Sequence, residues 1–330
     1  MEDTGMEYDD LTTSFINPPP PSLDGLIWRP ITRDDLTELV ELAGMCYLSD
    51  GGLHFLFEPD EIISQFFPDE PGAAIGALNA DGQLVACNAI NLSGDSRSLR
   101  ATIVGHVRPD MRGRGFGAYL MRWSQMQAES LLAGAAADQR VLQIRTESLT
   151  EMARRLYGAH GFKQVMEELV MRRDPDMPLP DRALPPDVTL ASWQPDLADQ
   201  FFQAYDSAFR ERPGFPGYRS ATEWVDSWTD DHFRPEWSLL ARTGDVPLGF
   251  LTGTSNPPHG YVMQVGVVPT MRRRGLASGL IVEAMRRMQA AGAASVWLTV
   301  HINNPEAKQA YSQLGFKAIG SRARYERMKV

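Results

Sequence analysis

Two clusters rich in arginine and glycine lie at matching places in the two halves of this chain, at residues 112–117 and 272–277. Each cluster follows an apolar run ending in Val-x-Pro, and each opens a helical pattern. A Tyr-x-x-x-Gly-Phe sequence follows each of them, starting at Tyr157 and Tyr311. The first arginines of the clusters are 160 positions apart and the tyrosines are 154 apart. Two motifs that recur in the same order at nearly the same spacing indicate a duplicated unit. This duplication constrains the fold more than any other feature of the sequence.

The composition is that of an ordinary globular protein, with 43% hydrophobic residues and a net charge of -10. This charge argues against nucleic acid as the main partner, because phosphates would be repelled. No apolar run of about 20 residues occurs, so we expect no membrane-spanning helix. No signal peptide is evident. The two cysteines are too few for a disulfide framework, and we expect a cytoplasmic protein.

The chain divides into two domains with flanking segments. Residues 1–25 are acidic and rich in proline, and we expect a disordered tail there. A second proline-rich stretch, residues 174–187, is typical of a linker. The predicted domains are therefore residues 26–173 and 188–330. The drop in offset after the clusters places a longer loop in the first half.

Each half shows the same order of predicted elements. A first strand leads to helical segments, and a hairpin, a further strand and the glycine cluster follow. The next elements are a helix, a buried strand, a helix that ends at glycine and a last strand. In the second half, Asn304-Pro305 is a strong start for that last helix. The prediction is an α/β fold with a mixed, mostly antiparallel sheet, built twice.

The glycine clusters have the features of an anion-binding loop. A strand that turns into a helix leaves backbone N–H groups unpaired, and the helix dipole adds positive potential there. Gly275 allows a pyrophosphate to approach the backbone, and the arginines can add charge-assisted contacts. A plain glycine turn flanked by solvated arginines is the alternative. A dinucleotide site is disfavoured because a hairpin precedes the loop, and a P-loop lacks its Gly-Lys-Ser/Thr.

The combined motif resembles the GNAT N-acetyltransferase superfamily. It runs Val-x-Pro-x-x-Arg-x-x-Gly-x-Gly/Ala, then Leu-x-Val-x-x-x-Asn-x-x-Ala-x-x-x-Tyr-x-x-x-Gly-Phe. The second half carries it in full, and the first half has Thr150 where the asparagine would be. The tandem layout is similar to a two-domain member of the superfamily whose C-terminal half is the active one. The resemblance implies two tandem acyl-CoA N-acyltransferase domains.

The resemblance also implies acetyl-CoA as the acetyl donor, with no metal. Its pyrophosphate would lie on the loop, and its pantetheine arm would pair with the preceding strand like an added strand. In the second half, the residues that this implies for cofactor binding are Val265, Val267, Arg272, Arg273, Arg274, Gly275, Leu276, Ala277 and Asn304. In the first half they are Val107, Arg112, Gly113, Arg114, Gly115, Phe116, Gly117 and Tyr157.

The resemblance assigns Tyr311 as the acid that protonates the leaving thiolate. A packed core tyrosine is the alternative. The base is open, since residues 261–266 contain no carboxylate. His301 is one candidate and His106 marks the matching strand of the first half. A water chain, or a substrate that arrives neutral, is equally compatible. Tryptophans in the second half could face a cationic amine or pack in the core, the more common case: Trp224, Trp228 and Trp237.

These observations predict an acetyl-CoA-dependent N-acetyltransferase that acts on a primary amine of a small molecule, with the C-terminal half active. The expected partner is that substrate, without nucleic acid or membrane, in a monomer or a homodimer. Two alternatives remain. One is a non-catalytic acyl-CoA-binding or partner-binding module, and the other is an acetyltransferase of protein N-termini or lysines.

Overall fold

The computed structural model describes residues 25–53, 57–68, 72–134, 136–211 and 217–329. Residues 1–24 of the expected tail lie outside this part. The chain forms two compact units. Unit 1 consists of residues 1–168 and 320–330, and unit 2 consists of residues 169–319.

Unit 1 begins with a strand, continues through two helices into a three-strand meander, and then alternates helix and strand. Its elements are β1 (Ile27–Pro30), α1 (Leu36–Asp50), α2 (Pro59–Phe66), β2 (Gly72–Leu78), β3 (Leu84–Gly94), β4 (Ser98–Val107), α3 (Phe116–Ala133), β5 (Gln139–Thr146), α4 (Glu151–Ala159) and the first part of β6 (Lys163–Arg173).

Unit 2 repeats this order. Its elements are β7 (Thr189–Ser192), α5 (Ala198–Phe209), α6 (Ala221–Asp226), β8 (Leu239–Thr243), β9 (Val246–Asn256), β10 (His259–Val267), α7 (Leu276–Ala290), β11 (Val296–His301), α8 (Pro305–Gln313) and the start of β12 (Lys317–Lys329). Short 3-10 turns precede several helices and strands: Arg33–Asp35, Pro109–Met111, Pro195–Leu197, Pro235–Trp237 and Pro269–Met271.

The sheets of the two units have the same pairing. In unit 1, β1 to β4 are antiparallel and β5 is parallel to β4. In unit 2, β7 to β10 are antiparallel and β11 is parallel to β10. The predicted fold class, a mixed and mostly antiparallel α/β sheet built twice, is therefore confirmed.

Two strands are divided between the units, which the sequence did not predict. Residues 163–168 of β6 belong to unit 1 and residues 169–173 to unit 2, while β12 passes from unit 2 into unit 1 at Gly320. In unit 1, β12 pairs antiparallel with β5, from Ala323 opposite Thr146 onward. The sequence predicts that each half ends in a strand, but a strand's backbone does not specify its partner.

The helix that follows each glycine cluster buries an apolar face against its sheet. In unit 1 this face includes Phe116 and Leu120 of α3, which are 1% and 2% exposed. In unit 2 the matching residues of α7 are Leu276 and Leu280. This burial fixes where each helix begins, so it also fixes the position of the loop in front of it.

The predicted linker is held down by one arginine. Arg173 is 1% exposed, and its guanidinium donates hydrogen bonds to the carbonyl oxygens of Leu314, Met177 and Pro178, at 2.8 to 2.9 Å. The first residues after β6 are thereby fixed against the end of α8. The proline-rich segment therefore begins as an anchored part of unit 2.

Candidate active sites in the two units

Each glycine loop adopts left-handed backbone conformations and opens toward space. Gly113 and Gly115 have φ angles of 77° and 91°, and Gly275 has 80°. A Cβ atom added at any of the three would meet nothing within 4 Å. No side chain caps the first turn of α3 or α7. The N–H groups at these helix starts remain free of side-chain caps, which suits an anion such as a pyrophosphate.

Arg273 occupies the left-handed position that Gly113 fills in unit 1. Its φ of 61° is a conformation that costs a side-chain-bearing residue about 1 kcal/mol or more. The exposed guanidinium lies 3.0 Å from Glu306 of α8. The loop of unit 2 therefore keeps its shape without the glycine that unit 1 uses.

The first arginine of each cluster turns away from the helix start. Arg112 makes two 2.7 Å hydrogen bonds to Asp50 and a third to the carbonyl oxygen of Val107. Arg272 donates to the carbonyl oxygen of Ala208 and lies 3.6 Å from Glu211. Both guanidinium groups thus tie the loop to the helix on the other face of the sheet.

Arg114 and Arg274, the third residues of the two clusters, are exposed. Within the described residues neither side chain has a hydrogen-bond or ion-pair partner. They are the charged side chains of the loops that remain free for a ligand. Phe116 and Leu276 are core residues, so only their backbone faces the loop.

The parallel strands separate near each loop. In unit 1 the pairing of β4 with β5 ends at Ile103 opposite Ile144, and β4 continues to Val107. In unit 2 the pairing of β10 with β11 ends at Val262 opposite Leu298. Val265 and Val267 lie beyond that point. Strand ends that lack a neighbour can accept an extended ligand as an added strand.

A β-bulge distinguishes unit 2 from unit 1 at this point. The pairing of β10 with β9 shifts between Val262 and Gln264, whereas β3 and β4 pair without a shift from Ala86 to Gly94. A bulge leaves one residue out of the ladder and bends the strand. In unit 2 the bulge and the separation of the parallel strands begin at the same residue.

Tyr157 of α4 and Tyr311 of α8 take equivalent positions, and both are half-buried. Burial raises the pKa of each phenol to about 12. A hydrogen bond with Thr146 acts in the opposite direction on Tyr157, and Tyr261 raises the pKa of Tyr311 further. Each phenol is therefore neutral at physiological pH and carries a proton.

Asn304 and Thr150 are helix caps. The Asn304 side chain accepts a hydrogen bond from the N–H of Ala307, and the Thr150 hydroxyl accepts one from Ala153, both at 3.1 Å. The two residues do the same structural work at the starts of α8 and α4. Because the Oδ1 atom of Asn304 accepts the capping hydrogen bond, a cofactor contact by this side chain would come from its Nδ2 group.

The two histidine candidates differ in environment. His301 ends β11, and its Nδ1 accepts a hydrogen bond from the N–H of Asn303 at 3.1 Å. His106 lies on β4, stacked on Phe66 with ring centroids 6.4 Å apart. Burial, reinforced by nearby Arg112, lowers the pKa of His106 to about 4. His106 is thus a neutral imidazole at neutral pH.

Glu147 was missed by the sequence analysis. It stands 154 positions before His301, so it holds the matching place at the end of β5. Its side chain is 13% exposed. For the first half the sequence pointed only to His106, on the strand before the glycine loop, whereas Glu147 lies after the neighbouring strand. The offset of 154, which also relates Tyr157 to Tyr311, was the signal that would have found it.

A cavity of about 160 Å³ brings these groups of unit 1 together. Its wall includes the glycine loop, the free end of β4, the end of β5 and helix α4. The members relevant here are Gly113, Gly117, His106, Val107, Arg112, Glu147, Thr150 and Tyr157. A ligand at the loop of unit 1 can therefore extend between the separated strands toward Glu147.

The tryptophans of unit 2 are core residues. Trp224, Trp228 and Trp237 are exposed by only 0 to 5%, and the first two pack against Tyr205 or each other in an aromatic cluster under α5 and α6. They do not form an open aromatic wall for a cation. In the described ranges no three His, Cys, Asp or Glu side chains lie close enough to hold a metal ion. None of the helices there is both long and apolar enough to cross a bilayer.

Family models match both halves. Residues 198–316 match the acetyltransferase (GNAT) family and residues 72–164 match an acetyltransferase (GNAT) domain. A mycothiol acetyltransferase of Actinosynnema mirum is 31% identical over 258 residues, covering 76% of this chain and 82% of the relative. One of Frankia casuarinae is 30% identical over 269 residues, with 76% and 75% covered.

Solved structures agree with this fold. A GCN5-related N-acetyltransferase of Sphaerobacter thermophilus superposes with a TM-score of 0.71 at 23% identity, covering 93% of this chain and 96% of its own. A tandem GNAT protein of the clavulanic acid biosynthesis pathway superposes with a TM-score of 0.60 at 14% identity, covering 92% and 98%.

The chain therefore belongs to the GNAT acetyltransferase family, as a tandem member. Its predicted enzyme class, an acetyl-CoA-dependent N-acetyltransferase, is confirmed. The two-domain member whose layout the sequence resembles is mycothiol synthase, and this similarity is confirmed by the mycothiol acetyltransferase relatives.

Proposed function

We propose that this enzyme transfers the acetyl group of acetyl-CoA to a primary amine of a small molecule, and that unit 2 performs this reaction. The relatives named mycothiol acetyltransferases support an acceptor of low molecular weight. The bulge that coincides with the strand separation in unit 2 is the observation that carries the choice of unit. The buried free thiols of Cys46 and Cys87 suit a reducing cytoplasm.

In this proposal the open loop of unit 2 holds the pyrophosphate. Gly275 gives the phosphate access to the backbone N–H groups, and Arg274 supplies a free guanidinium. The pantetheine arm follows β10 along Val265 and Val267, where the parallel neighbour has ended.

Acetyl-CoA supplies a thioester whose carbonyl carbon an amine can attack. Tyr311 then gives its proton to the leaving thiolate, since burial keeps the phenol neutral. His301 is our candidate for the group that takes the proton of the amine. The backbone N–H of Asn303 donates to Nδ1, so the neutral ring carries its hydrogen on Nε2, and Nδ1 would have to give up that hydrogen bond to take the proton. Water or a neutral amine would serve equally at this step.

A release assay for free thiol tests the proposal on the full chain. Acetyl-CoA is supplied with a panel of small primary amines and, separately, with peptides that offer a free N-terminus or lysine. We expect turnover with at least one small amine and none with the peptides. Binding of acetyl-CoA without turnover across the panel would identify a binding module, and turnover limited to peptides would identify a protein acetyltransferase.

A further inference from the structure

A second cavity of unit 1, of about 300 Å³, adjoins the first. The two share Arg145, Thr146 and Glu147 in their walls. Where the first contains the glycine loop and Tyr157, the second is lined mainly by polar side chains of β3, β4, β5 and β12. We call it the arginine recess. Its lining residues that carry charge are Arg145, Glu147, Arg322 and Arg324.

Glu147 is in the walls of both cavities, and one of its oxygens accepts no hydrogen bond. Oε1 accepts a 2.7 Å hydrogen bond from Nε of Arg145. Oε2 is buried without any hydrogen bond, and the nearest cation is a guanidinium nitrogen of Arg322 at 3.5 Å. A buried carboxylate oxygen without a hydrogen bond is costly, because burial has removed its water. An ammonium group at the junction of the cavities would satisfy it.

Arg324 supplies the complementary group. It lies directly opposite Arg145 in the pairing of β12 with β5. Like charges in opposed positions on a sheet repel each other. Arg145 is compensated by Glu147 and Glu61, whereas the exposed Arg324 has no hydrogen-bond or ion-pair partner in the described part of the chain. A planar guanidinium in that position is suited to bind a carboxylate through two hydrogen bonds.

The balance of charge around the recess decides what kind of ligand fits. The three arginines face three carboxylates, of which Glu147 is in the wall, Glu61 binds Arg145, and Glu168 binds Arg322 at 3.0 Å. Glu326 lies further along β12 and accepts a hydrogen bond from Gln143. A dianion or a simple cation would leave the recess with an uncompensated net charge. A zwitterion would not, since it brings one charge of each sign.

We propose that unit 1 holds a second acetyl-transfer site, whose acceptor is a small amine that also carries a carboxylate. The amine lies at Glu147 and the carboxylate at Arg324. This rests on the family's acetyl transfer and not on the assignment of the main reaction to unit 2. Unit 2 has Thr299 and His301 at the places of Arg145 and Glu147, so it lacks this charge pattern and takes a different acceptor.

The reaction balances with groups already present. The ammonium gives one proton to Glu147, and the free amine attacks the thioester carbonyl carbon. A C–N bond forms and the C–S bond breaks. The amide nitrogen then loses its second proton, and the thiolate takes one proton, with Tyr157 as the neutral donor on that side of the cavity. The products are the N-acetylated acid, free CoA thiol and one proton released to solvent.

The test uses full-length Gly275→Glu, in which the loop of unit 2 is blocked, so that thiol release reports on unit 1. The substrates are L-amino acids other than cysteine, their decarboxylated amines, and phosphoethanolamine. We expect release with amino acids, at least tenfold lower kcat/KM for the matching decarboxylated amines, and loss of release when Gly115→Glu is added. No release with amino acids would overturn the proposal, and so would equal use of the decarboxylated amines or a preference for phosphoethanolamine.

Variants of the recess then test the two contacts. Arg324→Gln is expected to raise KM for amino acids about tenfold or more and to leave KM for a decarboxylated amine unchanged. The control is Arg97→Gln, which removes one positive charge at an exposed position and should change neither KM. Glu147→Gln is expected to lower kcat for amino acids by about 10², because the amide cannot take the proton of the ammonium. An equal rise in KM for both substrate types in Arg324→Gln would contradict the carboxylate contact. Equilibrium dialysis of wild type with a labelled amino acid gives a binding readout independent of these variants, and no binding there would contradict the site.

The same variants distinguish failure of the second site in unit 1 from failure of the proposed reaction in unit 2. If wild type acetylates a small amine and Gly275→Glu removes all release, unit 2 is the only active unit and the second site is wrong. If Gly275→Glu leaves all release intact, the assignment of the main reaction to unit 2 is wrong, whatever the recess binds.

Discussion

At the scale of single residues, the two units keep the same tyrosine but surround it differently. Tyr261 raises the pKa of Tyr311, whereas a hydrogen bond with Thr146 lowers the pKa of Tyr157. The sequence predicted both tyrosines, because a motif spaced along one helix and one strand is visible locally. It could not predict that Glu147 and Arg324 line one cavity, because these residues are 177 positions apart and the pairing of β12 with β5 brings their strands together.

We expect Tyr311→Phe to lower kcat for the small-amine acceptor by about 10² to 10⁴, the usual contribution of general acid catalysis. The ring stays, so packing and the dissociation constant for acetyl-CoA should change little. Steady-state rates and equilibrium titration measure the two effects. Because the pKa of Tyr311 is raised to about 12, its proton is retained until the pH rises through that value. The wild-type rate should therefore show no alkaline decline near pH 10 from this group.

Tyr157→Phe is the matched control on the other unit. A large loss of kcat in Tyr157→Phe with none in Tyr311→Phe would place the main reaction in unit 1. A large rise in the dissociation constant for acetyl-CoA in Tyr311→Phe would mean that the hydroxyl binds the cosubstrate instead of donating a proton.

His106 makes stability depend on pH in the acid range. Its pKa of about 4 lies below the ordinary value of 6.5, so between these values the unfolded chain binds a proton that the folded chain does not. Stability from this group is present above pH 6.5 and is lost as the pH falls toward 4. We expect His106→Leu to flatten that part of the pH dependence of the melting temperature. An unchanged slope between pH 6.5 and 4 in the variant would show that the pKa of His106 does not differ between the folded and the unfolded chain.

At the scale of elements, the sequence predicted the strand, loop and helix around each glycine cluster. It did not predict that β6 and β12 are each divided between the two units. The apolar spacing of α7 and the glycine in front of it specify the element and its start. The hydrogen-bonding edge of β5 accepts any strand of suitable register, and β12 occupies it through tertiary packing. Arg173 is the last residue of β6, and its hydrogen bonds to the carbonyl oxygens of Met177 and Pro178 hold the first residues of the linker in place.

We expect Arg173→Ala to reduce the free energy of unfolding by about 2 to 4 kcal/mol, because three carbonyl oxygens lose a charged donor in a buried site. The urea midpoint of the transition that includes unit 2 measures this. Arg172→Ala is the control on the adjacent residue: Arg172 pairs with Asp174 at 3.0 Å at the surface and should cost less than about 1 kcal/mol. Equal losses in the two variants would mean that the anchor of the linker lies elsewhere.

At the scale of the whole molecule, the two units carry glycine loops of similar backbone shape next to surroundings that differ. The loops are alike because anion binding needs only backbone N–H groups and a helix start. Unit 1 has the cavity with Glu147, and unit 2 has the bulge and the aromatic cluster. Family membership follows from the shared parts. We expect the parts that differ to select the acceptor, and the comparisons identify the chemistry without identifying that acceptor.

Blocking one loop at a time assigns the main reaction to a unit. We expect Gly275→Glu to abolish turnover of the small-amine acceptor, because the carboxylate would occupy and repel the pyrophosphate position, and Gly115→Glu to have a milder effect. Both glycines have positive φ, so any side chain at these positions costs backbone strain of about 1 kcal/mol. Gly275→Ala and Gly115→Ala serve as controls, because they carry the same strain as the glutamate variants but no charge. The alanine Cβ enters open space at both positions. Rates near wild type in the alanine variants, together with loss in Gly275→Glu, would identify electrostatic exclusion at unit 2. Equal loss in the two glutamate variants, or loss in Gly115→Glu alone, would reject that assignment.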